Sequence, residues 1–169
     1  FEFSLFGHRL FVNSGTSLYG TDPERLRQRG TAAHNTVVVD WRNSSDVWSG
    51  FRVGRRARPY GRKVRCDDGA LHAEASHDGY QRSHSATVHH RRWRLSEHAL
   101  TVEDELRGRS SSAEARFHLH PEVTVRLAGD DLAIITLADG KSAQCRARGG
   151  AIRIEATTWH PEFGVSRPT

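Results

Sequence analysis

The chain has no methionine and almost no lysine, Lys63 and Lys141 being the two in 169 residues. A natural chain starts with methionine. This one opens on "FEFSLFG", whose period-two alternation already reads as a strand. The expectation is a piece of a longer protein, truncated at both ends, whose missing leader says nothing about where the parent goes. Cysteine is scarce too. Cys66 and Cys145 allow at most one bridge, which excludes a disulfide scaffold and a cysteine-based metal cluster but leaves the redox compartment open. No apolar run nears the ~18–20 residues of a membrane-spanning helix. Phosphate loops, nucleophile elbows and paired-cysteine zinc motifs are all missing.

What is there is arginine. The net charge is +5 and the pI about 9.9, carried almost wholly by guanidinium groups. A guanidinium pairs with carboxylate, sulfate or phosphate through a planar fork. Nucleic acid, acidic polysaccharide or anionic lipid would each suit such a surface. An arginine-biased genome explains it equally well.

Along the chain the pattern is nearly all β. "FEFSLFG" and "HRLFVNSG" come first, and "NTVVVD" is dense enough for a buried strand. "WSGFRVGRRARP" carries aromatics and a proline stop. "RKVRCDDG" and "ALHAEASHDGY" meet at an Asp-Asp-Gly turn, and "ATVHHRRWRLS" with "HALTVEDELRG" reads as a hairpin. "AEARFHLHPEVTVRLAG", "LAIITLADG", "SAQCRARGG" and "AIRIEATTW" complete a ladder with turn residues about every ten positions. That rhythm predicts an antiparallel β-sandwich or barrel in one domain, residues 1–169. The exception is "DPERLRQRG", of helical composition but at that length one short turn or an ordered loop. Asp22 is its N-cap, Pro23 lies in the first turn and Gly30 follows its end.

Chemistry candidates sit at the mouth of the buried strand. In "TAAHNTVVVD" an imidazole, His34, and an amide, Asn35, precede the valines. His34 can act as acid, base or metal ligand, or simply pack. A long polar loop upstream carries Tyr19, either an acid–base phenol or a loop anchor. Arg52, Arg55, Arg56, Arg58 and Arg62 interleave with Phe51 and Tyr60. The mixture suits stacking with phosphate contacts, sugar stacking with carboxylate or sulfate contacts, or a charged edge strand. "HHRRW" and "HLHP" look metal-like but lack acidic or cysteine partners at a telling spacing. They read as packing and cross-strand pairs.

These segments, in order, resemble the C-terminal β domain of the heparinase II/III family and of related alginate and oligoalginate lyases. "RGTAAHNTVVVD" with the upstream "GTSLY" is the most specific part. "HDGYQRSHSATVHHRRWRLS" and "FHLHP" support it. The resemblance implies a large antiparallel β-sandwich joined to an N-terminal α/α toroid in the parent chain. It implies β-elimination on uronic-acid-containing anionic polysaccharide, in a periplasmic or secreted protein, with no nucleic acid as partner. The isolated domain would be inactive. By the same resemblance His34 matches a zinc ligand, and Tyr19 matches a tyrosine that reaches the cleft as a catalytic group. Asn13 stands where the family places a ligand aspartate. Asn35, Arg52 and Arg55 are expected to bind substrate. A His-x-His-x-Asp stretch that completes the zinc site is expected before Phe1. A neutral amide at Asn13 is a weak zinc donor, which argues against zinc in this chain. The alternative is a family member without lyase chemistry that binds or processes anionic exopolysaccharide during its biosynthesis.

Overall fold

The structure, a computed structural model, describes residues 1–82 and 85–169. Ser83 and His84, within the "GYQRSHS" stretch, lie outside the described residues. In chain order the first elements are β1 (Phe3–Leu5), β2 (His8–Phe11), α1 (Pro23–Arg29), β3 (Val37–Val39), β4 (Val47–Trp48), β5 (Arg52–Val53), β6 (Pro59–Asp67) and β7 (Ala70–His77). Then come β8 (Val88–Leu95), β9 (Leu100–Arg107), β10 (Ala113–Ala115), β11 (Thr124–Leu127), β12 (Leu132–Thr136), β13 (Ser142–Arg146), β14 (Thr158–Trp159) and β15 (Arg167–Pro168). All pairings between these strands are antiparallel. The class is all-β and sandwich-like in its many short strands, as the sequence predicts.

Contacts divide the chain into two compact units, neither of them contiguous. The first comprises Phe1–Tyr19, Ala33–Asn35 and Phe117–Thr169. It holds the β1–β2 ribbon, the β11–β12–β13 sheet and the β14–β15 pair. Its core is Leu10, Ile135 and Leu137, with Phe3, Phe11, Leu119 and Val125 packed around them. Phe11 also meets Phe117 at 5.4 Å between ring centroids.

The second unit comprises Gly20–Ala32 and Thr36–Arg116. Its largest sheet runs β6–β7–β8–β9, with β10–β3 and β4–β5 as separate pairs. The β6–β7 hairpin closes at Asp68–Gly69, between the paired residues Asp67 and Ala70. β8 and β9 are in register from Val88↔Arg107 to Leu95↔Leu100. All three residues of β3 are buried, the β-branched run expected of a strand covered on both faces. Val37 and Val39 pack with Tyr80, whose hydroxyl donates to the Val37 carbonyl at 2.8 Å. The helix begins as read: the Asp22 carboxylate accepts from Glu24 N at 2.7 Å and Pro23 is its first residue.

Three segments depart from the sequence reading. "AEARFHLHPEVTVRLAG" is not one strand but two, β10 and β11. Pro121 cannot donate to a ladder and sits in a turn closed by Val123 N to His120 O at 2.9 Å. "AIRIEATTW" alternates well, yet only Thr158–Trp159 is strand. Ile152 makes a single bond to Asp130 O, and alternation without a neighbouring strand does not build a ladder. Pro59 starts β6 rather than stopping a strand. It is tolerated there because β6 is an edge strand and Pro59 its first residue.

Candidate functional site

His34 and Asn13 come together in the first unit. His34 Nδ1 lies 3.1 Å from Asn13 Oδ1. That oxygen also accepts from Gly15 N at 3.4 Å. An oxygen that accepts two hydrogen bonds fixes the amide orientation, and so the tautomer. His34 carries its proton on Nδ1, and Nε2 holds the lone pair. Burial pushes the imidazole below its ordinary value near 6.5, so the ring is neutral at physiological pH. A neutral, oriented imidazole with a lone pair can take a proton or ligate a metal.

The backbone that carries Asn13 is held by close packing. Gly15 has φ 78°, and a Cβ there would lie 1.9 Å from the His160 carbonyl oxygen. His160 N in turn donates to Ser14 O at 2.7 Å. The "SGT" stretch is therefore glycine-dependent for two reasons at once.

Asn35 is placed differently from the substrate-facing role expected of it. It is 5% exposed. Its amide nitrogen donates to Phe1 O at 2.8 Å and Val12 O at 3.0 Å. Its oxygen accepts from His118 N at 2.6 Å. The side chain bridges three separate pieces of backbone and holds the segment that presents His34. Tyr19 is at the surface, 72% exposed, and stacks on Phe163 with centroids 5.0 Å apart.

The resemblance implies zinc, and the donor set can be tested against it. One neutral imidazole and one neutral amide bring no charge. Among the described residues no group of three His, Cys, Asp or Glu side chains is arranged to hold a metal ion. Zinc sites take at least three protein ligands, so the described residues do not fit one. The histidines of "HHRRW" and "HLHP" have other partners. His89 Nε2 lies 2.6 Å from Asp104 Oδ1, and His90 Nδ1 lies 2.8 Å from Ser76 Oγ. His118 is buried. His120 meets Trp159 edge-on at 4.7 Å.

Arg52 and Arg55 belong to the second unit. The Arg52 guanidinium lies 4.8 Å over the Trp48 ring. Arg55 Nε donates to Asp46 Oδ2 at 2.7 Å and lines a cleft of about 360 Å³. Arg42 and Arg82 line the same cleft, and neither stood out in the sequence. Arg42 opens the polar "RNSSD" run after a buried strand, and that run is the signal that was available. Arg82 follows Tyr80 by two positions and carries no local signal.

A family model described as "Heparinase II/III-like, C-terminal" matches residues 1–169. Comparison with curated proteins and with solved structures returns no match.

Proposed function

Because the chain belongs to the heparinase II/III-like family, matched from its first residue to its last, we propose that it is the β domain of a polysaccharide lyase. The reaction is β-elimination on a uronic-acid-containing anionic polysaccharide. A base removes the C5 proton, that C–H electron pair forms the C4=C5 double bond, and the 4-oxygen leaves with its electron pair. No water enters the bond. The chemistry needs a base, an acid and neutralisation of the uronate carboxylate.

The observation that carries this reading is the His34 imidazole, neutral and oriented by Asn13 with its lone pair on Nε2. Tyr19 adds an exposed phenol from the preceding loop; Arg52 and Arg55 belong to the second unit and offer positive charge to an anionic chain there. No step is routed through zinc, whose ligands the described residues do not complete. An N-terminal toroid in the parent supplies the remaining groups, so the isolated chain is inactive. The parent works where extracellular polysaccharide is met, in the periplasm or outside the cell. Asn13 in place of a carboxylate favours one other reading: a family member that binds or processes exopolysaccharide without cleaving it.

The test is absorbance of the unsaturated uronate product from alginate and heparan sulfate. Parent protein, its His34→Ala variant and the isolated chain are compared. Turnover by the parent alone is expected. Turnover by the isolated chain, or an undiminished His34→Ala parent, would overturn the proposal.

A further inference from the structure

In the second unit a cleft of about 360 Å³ is walled by three stretches of chain, around residues 42–47, 55–56 and 78–82. That volume falls in the ~300–1,000 Å³ range of small-ligand sites. The walls are tied together by short bonds. Asp46 N donates to Arg55 O at 2.8 Å, Ala57 N to Ser45 Oγ at 2.9 Å, and Arg58 N to Asp78 Oδ1 at 2.7 Å. Gly79 lets the third wall come close, since a Cβ there would stand 2.6 Å from Ser44 O and 2.9 Å from the Ala57 Cβ. The cleft is therefore preformed.

Its charge is lopsided. Arg42, Arg55, Arg56 and Arg82 line it against Asp46 and Asp78. Both carboxylates are already engaged, Asp46 by Arg55 and Asp78 by the Arg58 backbone. Among the described residues Arg42, Arg56 and Arg82 have no carboxylate partner. Three guanidinium groups drawn from three segments, beside two carboxylates already engaged elsewhere, make a site for an anion from outside. A second observation lies beside it. Trp41, the residue before Arg42, is 74% exposed and holds φ 58°. Asp40, at φ 49°, is locked alongside it by Ser111 and Ser112 N–H bonds of 2.8 Å and 3.0 Å. An indole kept outward on a left-handed backbone is strained, and such strain persists where the surroundings over-determine it. The apolar C–H face of a pyranose packs on such a ring.

We propose that this cleft is a subsite for one carboxylate- or sulfate-bearing sugar unit of an anionic polysaccharide, held by Arg42, Arg56 and Arg82. The proposal rests on the polysaccharide reading above and adds a site to it, built from residues other than His34, Asn13 and Tyr19.

The experiment is calorimetric titration of the whole chain with four probes: a heparin tetrasaccharide, an alginate tetramer, a neutral dextran oligomer and tripolyphosphate. The chains are wild type, Arg42→Gln, Arg56→Gln, Arg82→Gln, their triple combination and Arg56→Lys. Urea midpoints confirm folding, and Arg56→Lys keeps the charge if the triple variant fails to fold. The anionic oligosaccharides should bind and the neutral one should not. Each single loss should weaken binding roughly tenfold, as for one charge-assisted contact, with Arg56→Lys in between. Unchanged binding in the arginine variants overturns the proposal. So does tripolyphosphate binding at least as tightly as either sugar, which would mark a phosphate site. The two readings fail separately. Arginine-dependent sugar binding with a parent that never cleaves uronate removes the lyase and keeps the subsite. Turnover with arginine-independent binding does the reverse.

Discussion

Acid should loosen the four-stranded sheet of the second unit through one side chain, His77. Gly79 N donates to His77 Nδ1 at 3.1 Å, which places the His77 proton on Nε2. Nε2 lies 3.0 Å from His89 Nδ1, so His89 accepts there and donates from Nε2 to Asp104 Oδ1 at 2.6 Å. Arg91 completes the chain with a fork onto Asp104, its Nη2 at 2.8 Å from Oδ2. Every proton in the line is assigned only while His77 is neutral. Protonation puts a hydrogen on Nδ1 against the Gly79 N–H. Burial first, and then the neighbouring His89, push His77 from an ordinary value near 6.5 down to about 4. The folded state therefore binds fewer protons than the unfolded chain between those values. The stabilisation is complete above about pH 6.5 and drains away as the pH falls towards about 4. Two and a half units at 1.36 kcal/mol each give about 3 kcal/mol at most, and residual solvent contact trims that towards about 2 kcal/mol. The measurement is urea unfolding by tryptophan fluorescence at about pH 7 and about pH 4, with Trp93 on β8 a reporter within the sheet. His34 and His120 are also held below their ordinary values by burial and add losses of the same sign. The quantity to read is thus the difference from His77→Gln. Its amide can accept from Gly79 and donate to His89 without titrating. Wild type should lose about 2–3 kcal/mol more than His77→Gln across that window. Equal losses in the two proteins would refute the reasoning.

Two further outcomes follow from the first unit. Asn35→Ala strands Val12 O and His118 N without their partner in a buried site, and should cost about 2–4 kcal/mol in urea unfolding. A loss below about 1 kcal/mol would mean that water replaces the amide. Gly15→Ala meets both a positive φ and the His160 carbonyl. It should destabilise by about 3 kcal/mol or more, whereas His34→Ala, at a half-buried position, should cost less than about 1 kcal/mol. A Gly15→Ala chain as stable as wild type would show that the turn has an alternative backbone.

The legible parts were those fixed by neighbours in sequence. The Asp68–Gly69 hairpin, the β8–β9 pair and the Asp22 helix cap each announce themselves within a few residues. So does β3, through three adjacent valines. What stayed hidden depends on register or on convergence. His77 opposes His89 only because β7 and β8 align from Leu71↔Leu95 onward, and a one-residue slip would part them. The cleft gathers arginines from positions 42, 55, 56 and 82, and no local window contains that set. The break after β10 was partly visible at Pro121. The failure of residues 151–156 to form a strand was not, because alternation says which face is apolar and nothing about whether a partner strand is near.

The "AHN" stretch shows how one short signature divides its work. Both residues looked like chemistry because both are polar at the mouth of a buried strand. Burial and bonding separate them. Asn35 spends its amide on Phe1, Val12 and His118 backbone, and a group so committed has little left to offer a ligand. His34, one residue earlier, bonds to a single exposed side chain through Nδ1. The two roles need each other. An imidazole is a useful base or ligand only if its backbone does not drift, and an asparagine that clips three strands of chain together removes that drift without occupying the imidazole. Residues 33–35 belong to the first unit although the sequence on both sides of them belongs to the second. A three-residue visit has little surface to bury, so a buried amide with backbone partners is the economical way to fix it. It follows that replacing Asn35 should lower the activity of a parent enzyme by displacing His34, with His34→Ala adding little to an Asn35→Ala background.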